Sequence, residues 1–138
     1  MIQIYVNFWA VLVGAISSMI IGSIWYSPKV FGKAWMALIG KSESEMETMK
    51  GKATRAYLVV FIGSLITSYV LAHFAAYTNA KTVGQGMQLG FWIWLGFVAT
   101  IQTGQALFQE KPFKLLLIDA GYYLVQLMVM GSLIALWM

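Results

Sequence analysis

Two acid–base side chains stand inside long apolar stretches of this sequence: His73, within residues 56–77, and Asp119, within residues 113–137. Placed together they would make a proton-transferring dyad. Placed apart, each is either a lone proton or ion site or a hydrogen-bonding anchor. Tyr122, Tyr123 and Gln126 follow Asp119 at helical spacing, and Gln102 and Gln105 sit in the preceding apolar stretch. The pattern is a polar seam able to carry a proton or cation to the carboxylate, or interhelical glue that fixes register. Glu43, Glu45 and Glu47 lie in the long connection and read as a solvated face, so they give no acid–base pair within the spans. There is no cysteine, which excludes thiolate nucleophiles, thiolate metal ligands and disulfides. A single histidine cannot build a multi-histidine metal site. Neither a metal nor a cofactor is expected.

The elements that carry these residues follow from composition. Hydrophobic residues make up 60% of the 138 and charged residues 10%, against about 25% charged in a soluble domain. Four apolar stretches, at about 4–26, 56–77, 86–108 and 113–137, are each long enough to cross roughly 30 Å of hydrocarbon at 1.5 Å per residue. The expected fold is therefore all-α: an integral membrane four-helix bundle forming one domain over 1–138, with membrane lipids as its surroundings. No basic segment precedes the first span, so a cleaved signal is not expected. The connection 27–55 holds Lys29, Lys33, Lys41, Lys50, Lys52 and Arg55, the connection before the fourth span holds Lys111 and Lys114, and the middle one holds Lys81. Eight cations against one place the first and third connections in the cytoplasm and both termini outside. The net charge of +4 therefore reads as headgroup attraction rather than nucleic-acid binding.

Depth then sorts the polar residues. Counted from the cytoplasmic edge, Asp119 falls roughly 8 Å in, level with Gln102, Gln105, Ser23, Trp25 and Tyr26. His73 falls about 25 Å along the second span, near Asn7 and Tyr77. A gap on the order of 15 Å disfavours an Asp119–His73 dyad. Small residues recur every fourth position in the first span, at Ala10, Gly14, Ser18 and Gly22. This ladder lets another helix approach closely, in the same chain or in a second copy. Within the long connection, Ser27-Pro28 reads as an N-cap and first helical position. A short interfacial helix is expected to follow, with Phe31, Trp35, Leu38 and Ile39 on one face and Gly40 as its stop. Ser42 with Glu45 resembles a capping box for a second short helix.

Asn7, Gly22, Trp25-Tyr26-Ser27-Pro28, Phe31-Gly32-Lys33, Trp35 and Gly40 together resemble the signature of a family of small bacterial four-span proteins, domain of unknown function 1761. Gly96 to Thr100, the turn from Phe108 to Lys114, Ile118-Asp119-Ala120-Gly121-Tyr122 and Met130-Gly131 are similar to it as well, so the likeness covers nearly the whole chain. It implies the four-span fold and no particular activity. The segment of Trp25, Tyr26, Pro28, Phe31, Gly32, Lys33 and Trp35 is richer than an anchor requires; it is either a lipid-headgroup or partner contact, or a structural elbow. Two functions stay open. One is a small transport or ligand-binding bundle, in a homo-oligomer, with the seam around Asp119. The other is an accessory or scaffolding subunit that binds another membrane protein or lipid. An intramembrane enzyme is disfavoured for want of a cysteine, a histidine cluster or a paired carboxylate within the spans.

Overall fold

In a computed structural model that describes residues 3–48 and 50–137, every regular element is helical. The elements are α1 (Phe8–Trp25), α2 (Gly32–Ile39), α3 (Glu43–Thr48), α4 (Lys50–Thr78), α5 (Val83–Trp94), a π-helical turn (Leu95–Ala99), α6 (Thr100–Phe108) and α7 (Phe113–Trp137). Four helical stretches, Phe8–Trp25, Lys52–Thr78, Val83–Phe108 and Phe113–Trp137, are long and apolar enough to cross a membrane. The third of them is α5, the π turn and α6 in succession.

Helix α7 is the axis of the bundle. It packs on α5, α1 and α4, and buries Leu115, Ile118, Tyr122, Leu127, Met130 and Ile134 along its whole length. Of its most apolar window 44% is buried, against 6% of the corresponding window of the third span, which packs almost wholly through one face. Close approach of α5 to α7 needs that face to lack side chains. A Cβ on Gly86 would fall on the Gly131 carbonyl, and one on Gly90 on the Leu127 carbonyl. In hydrocarbon, such backbone proximity supplies the van der Waals attraction that the hydrophobic effect does not.

The first-span ladder lies inside the chain. Ala10, Gly14, Ala15 and Ser18 are buried, and a Cβ on Gly14 would meet Ser68 and Met130. Helix α4 answers with its own narrow face of Ser64, Ser68, Leu71, Ala72 and Ala75. Of the two partners open to the ladder, Ala10, Gly14 and Ser18 take the one within the chain. This face stops halfway along α4. Residues 54–60 are all exposed, so the two helices lie close in one half of the bundle and part in the other.

The ends are capped by local chemistry. The Asn7 side chain accepts from the N–H groups of Trp9 and Ala10 and starts α1. Thr82 and Gln85 form a full capping box before α5, so that helix begins at Val83. Asn79 and Glu110 take φ values of 56° and 52°. Beyond them the N–H groups of Ala80 and Lys111 return to the carbonyls of Ala75 and Ala106, the same helix-ending motif used twice. Gly40 ends α2 at φ 74°.

One expectation fails here. Pro28 is not the first residue of a helix, and Ser27 is not an N-cap. The Ser27 hydroxyl donates to the Ile24 carbonyl, and its own carbonyl accepts from the N–H groups of Val30 and Gly32. The chain therefore folds back in a tight turn, and α2 begins only at Gly32. No side chain fits there, because a Cβ on Gly32 would collide with the Tyr26 and Ser27 carbonyls. The Ser42 hydroxyl does accept from the N–H of Glu45 and starts α3.

Replacing Gly90 by Val should lower stability by about 1–3 kcal/mol, the cost of overpacking a tight contact. Replacing Gly63 by Val, where a Cβ meets nothing within 4 Å, should change it by less than about 0.5 kcal/mol. Unfolding of both variants in detergent micelles measures the contrast.

Candidate functional site

The polar residues of the spans do not form one continuous seam. They divide between a cluster at one end of α7 and a set of local contacts elsewhere. In the cluster, the Tyr26 hydroxyl donates to Asp119 Oδ1 at 2.7 Å. The indole of Trp25 donates to the Ile118 carbonyl at 3.0 Å, and that of Trp94 to the Ala120 carbonyl at 2.8 Å. Three consecutive residues of α7 thus each accept one donor, two from the end of α1 and one from the end of α5. The Tyr122 hydroxyl donates to the Ser18 carbonyl at 3.0 Å. Tyr122 also meets the rings of Tyr26 (5.5 Å) and Tyr123 (5.1 Å), with ring planes steeply tilted.

Helix α2 is folded over this cluster by its aromatic residues. Phe31 packs on Trp25 with ring centroids 4.8 Å apart, and Trp35 meets Tyr26 edge-on at 5.5 Å. Between α2, the parted half of α4, α1 and α7 lies a cavity of about 510 Å³. Its walls include Met19, Gly22, Tyr26, Pro28, Gly32, Trp35, Met36, Tyr57, Val60, Tyr122 and Tyr123. Asp119 is not a wall residue; its link to the cavity is Tyr26. A second recess of about 430 Å³ runs along the outside of α1 and α4, lined by Ile16, Met19, Ile20, Ser23, Ile24 and Phe61. Met19 and Ser23 border both spaces.

The remaining candidates sit apart. His73 Nδ1 is 2.9 Å from the Tyr69 carbonyl on its own helix, and its ring lies 4.5 Å from that of Tyr69. Asn7 is spent as a cap. Gln126 is buried, Gln105 is exposed, and Gln102 buries its Oε1 without a partner. None of the three glutamines is hydrogen-bonded to Asp119 among the described residues. The register explains this. Extrapolated from the Gly86–Gly131 and Gly90–Leu127 contacts, Asp119 comes level with about Val98. Gln102 and Gln105 then lie roughly one and two turns nearer the Phe108 end. The glutamine part of the expected seam is corrected accordingly. Lys33 is exposed beside the wall residue Gly32. No group of three or more His, Cys, Asp or Glu side chains able to hold a metal occurs among the described residues.

The cavity walls Met19, Met36, Tyr57 and Val60 escape sequence reasoning, as does the indole donor Trp94. The available signal was weak: an aromatic residue early in α4, opposite two tyrosines of α7.

Fold and site together define a bundle of four helices long and apolar enough to cross a membrane, with an interhelical cavity under a short folded-back helix. The chain belongs to a family described as protein of unknown function (DUF1761), whose model matches residues 9–135. No curated protein and no solved structure matches it.

The Tyr26–Asp119 bond should show energetic coupling. A double-mutant cycle of Tyr26→Phe and Asp119→Ala, read by unfolding in micelles, should give about 1 kcal/mol, within the span measured for hydrogen bonds between membrane helices. The same cycle with Gln105→Ala in place of Asp119→Ala should be additive.

Proposed function

We propose that this chain is a multi-pass protein of the bacterial inner membrane, with both termini outside, that binds a small ligand in the cavity bounded by α1, α2, α4 and α7 and performs no chemistry on it. The observation that carries this reading is the cavity. Its volume of about 510 Å³ falls in the range of about 300–1,000 Å³ typical of small-molecule sites. Its walls also have the usual make-up of such sites, mainly apolar and aromatic with a few hydroxyls at defined points. The Tyr26 and Tyr122 hydroxyl protons are already committed, to Asp119 and to the Ser18 carbonyl. Their oxygens remain as acceptors toward a ligand, which suits recognition better than proton transfer. A transport role centred on Asp119 is less well supported, because the carboxylate does not face the cavity.

A second reading is favoured by one observation. The third span is scarcely buried, and Cβ positions on its Gly96 and Gly104 meet nothing within 4 Å. That free helix side suits a second copy of the chain or another membrane subunit, making the protein an accessory component. Oxidative cross-linking of a Gly96→Cys variant in membranes tests the second copy, and copurification of a stoichiometric subunit tests the other partner; absence of both a cross-linked product and a copurifying subunit removes this reading.

The ligand reading predicts that material extracted from the purified protein contains a bound molecule at about one per chain. Val60→Trp and Met36→Trp, which fill the cavity from two different walls, should both abolish it while leaving the unfolding temperature within a few degrees. Undiminished extraction from both variants overturns the proposal. Because the chain has no cysteine, single replacements report topology without background. Lys41→Cys should react with an impermeant thiol reagent only from the cytoplasmic side, and Lys81→Cys only from outside.

A further inference from the structure

We propose that the ligand of this cavity is an anionic glycerophospholipid, with its phosphate at the mouth and an acyl chain drawn into the recess between α1 and α4; the inference rests on the ligand-binding reading above. Two independent features lead to it. The first is the shape of the space. The tyrosine-walled cavity is not closed off from the outside of the bundle. It adjoins the recess of Ile16, Ile20, Ile24 and Phe61, and the two share Met19 and Ser23. In a membrane that recess faces hydrocarbon. A water-soluble metabolite gains nothing from a site that continues into lipid, whereas a lipid tail lies in such a groove without leaving its own medium. The recess exists because α4 buries its small-residue face from Ser64 upward and none of residues 54–60 below it.

The second feature is positive charge on the residues next to the walls. The exposed Lys29 and Lys33 directly follow the wall residues Pro28 and Gly32, and the exposed Arg55 directly precedes Ala56 and Tyr57, which are also wall residues. No ion pair with an acidic side chain engages these three cations among the described residues. The charge complement is a phosphate, and the apolar recess beside it complements an acyl chain. A free phosphate ester would use the first feature of the mouth and leave the groove empty.

The experiment is a titration of the detergent-purified chain, followed by native mass spectrometry, with dioctanoyl phosphatidylglycerol, dioctanoyl phosphatidylcholine and glycerol 3-phosphate. One phosphatidylglycerol per chain should bind at least about tenfold more tightly than phosphatidylcholine, as expected for two or three cations facing an anionic headgroup. The Lys29→Gln, Lys33→Gln double variant should lose this preference and keep the weaker binding. Ile20→Trp, which fills only the recess, should weaken both lipids by about tenfold, and glycerol 3-phosphate should not compete. Far-UV circular dichroism confirms that the variants are folded. Equal binding of the two lipids overturns the anionic selection and leaves the cavity as a ligand site, provided Val60→Trp still displaces the bound molecule. Full competition by glycerol 3-phosphate identifies a phosphate ester and overturns the lipid. Lipid binding unchanged by both Ile20→Trp and Val60→Trp overturns this inference and the cavity reading together.

Discussion

A polar hydrogen in hydrocarbon has no water to bond to, and each one left unpaired costs several kcal/mol. The bundle meets this constraint most visibly at three adjacent residues of α7. Ile118 and Ala120 accept indole hydrogens from Trp25 and Trp94, and Asp119 accepts the hydroxyl of Tyr26. A carbonyl oxygen has two lone pairs, so a helical carbonyl can accept an indole without giving up its own backbone bond. The three donors come from the ends of two different helices. Both α1 and α5 are therefore fixed in height and rotation against the same stretch of α7. The glycine contacts farther along, Gly14 with Ser68 and Met130, and Gly86 and Gly90 with α7, match an alignment already set at this end.

Among the described residues helix α4 has no comparable donor, and the cavity follows from that difference. It is held by close packing of Ser64, Ser68, Ala72 and Ala75, a form of attachment that reaches only as far as the small residues do. Beyond Ser64 toward its start, Tyr57 and Val60 stand as walls rather than as core. The tight turn from Tyr26 to Gly32 sends the chain back across the opening, and Trp35 reaches the ring of Tyr26. The residue that anchors α1 to α7 is thus the same one on which the covering helix rests.

How much of this was legible in the sequence depends on whether the property is local. Span number and approximate ends are local, since hydropathy and length decide them. The common level of Asp119 with Trp25 and Tyr26 was also readable, because it requires only a rise per residue counted from two nearby connections. What failed needed rotation or register between helices. Gln102 and Gln105 were placed level with Asp119 by counting from a short turn, but the glycine contacts of α5 shift that register by more than one turn. A π-helical turn at Leu95–Ala99 adds a residue that no hydropathy pattern announces. Pro28 satisfied the rule for a first helical position, yet backbone hydrogen bonds from Val30 and Gly32 to Ser27 decided the geometry instead. The Thr82–Gln85 box is a local motif and is legible in the sequence, ahead of the span expected from Gly86.

The clamp also bears on what Asp119 does. A coupling carboxylate must exchange partners during a cycle, and so needs a path to water or to a ligand. Here its partner is Tyr26, which is itself a wall of the cavity and carries Trp35 on its ring. A ligand that pushed Tyr26 aside would strip the carboxylate of its donor in an apolar setting, a penalty of roughly 1–3 kcal/mol or more for a charged group. A ligand that leaves Tyr26 in place avoids that cost and finds a rigid aromatic wall. Under the proposed ligand reading, Asp119 would act on binding at one remove, by holding the wall against which the ligand rests. The carboxylate would then be a positioning residue, which accounts for so costly a group standing in a span without facing the space beside it.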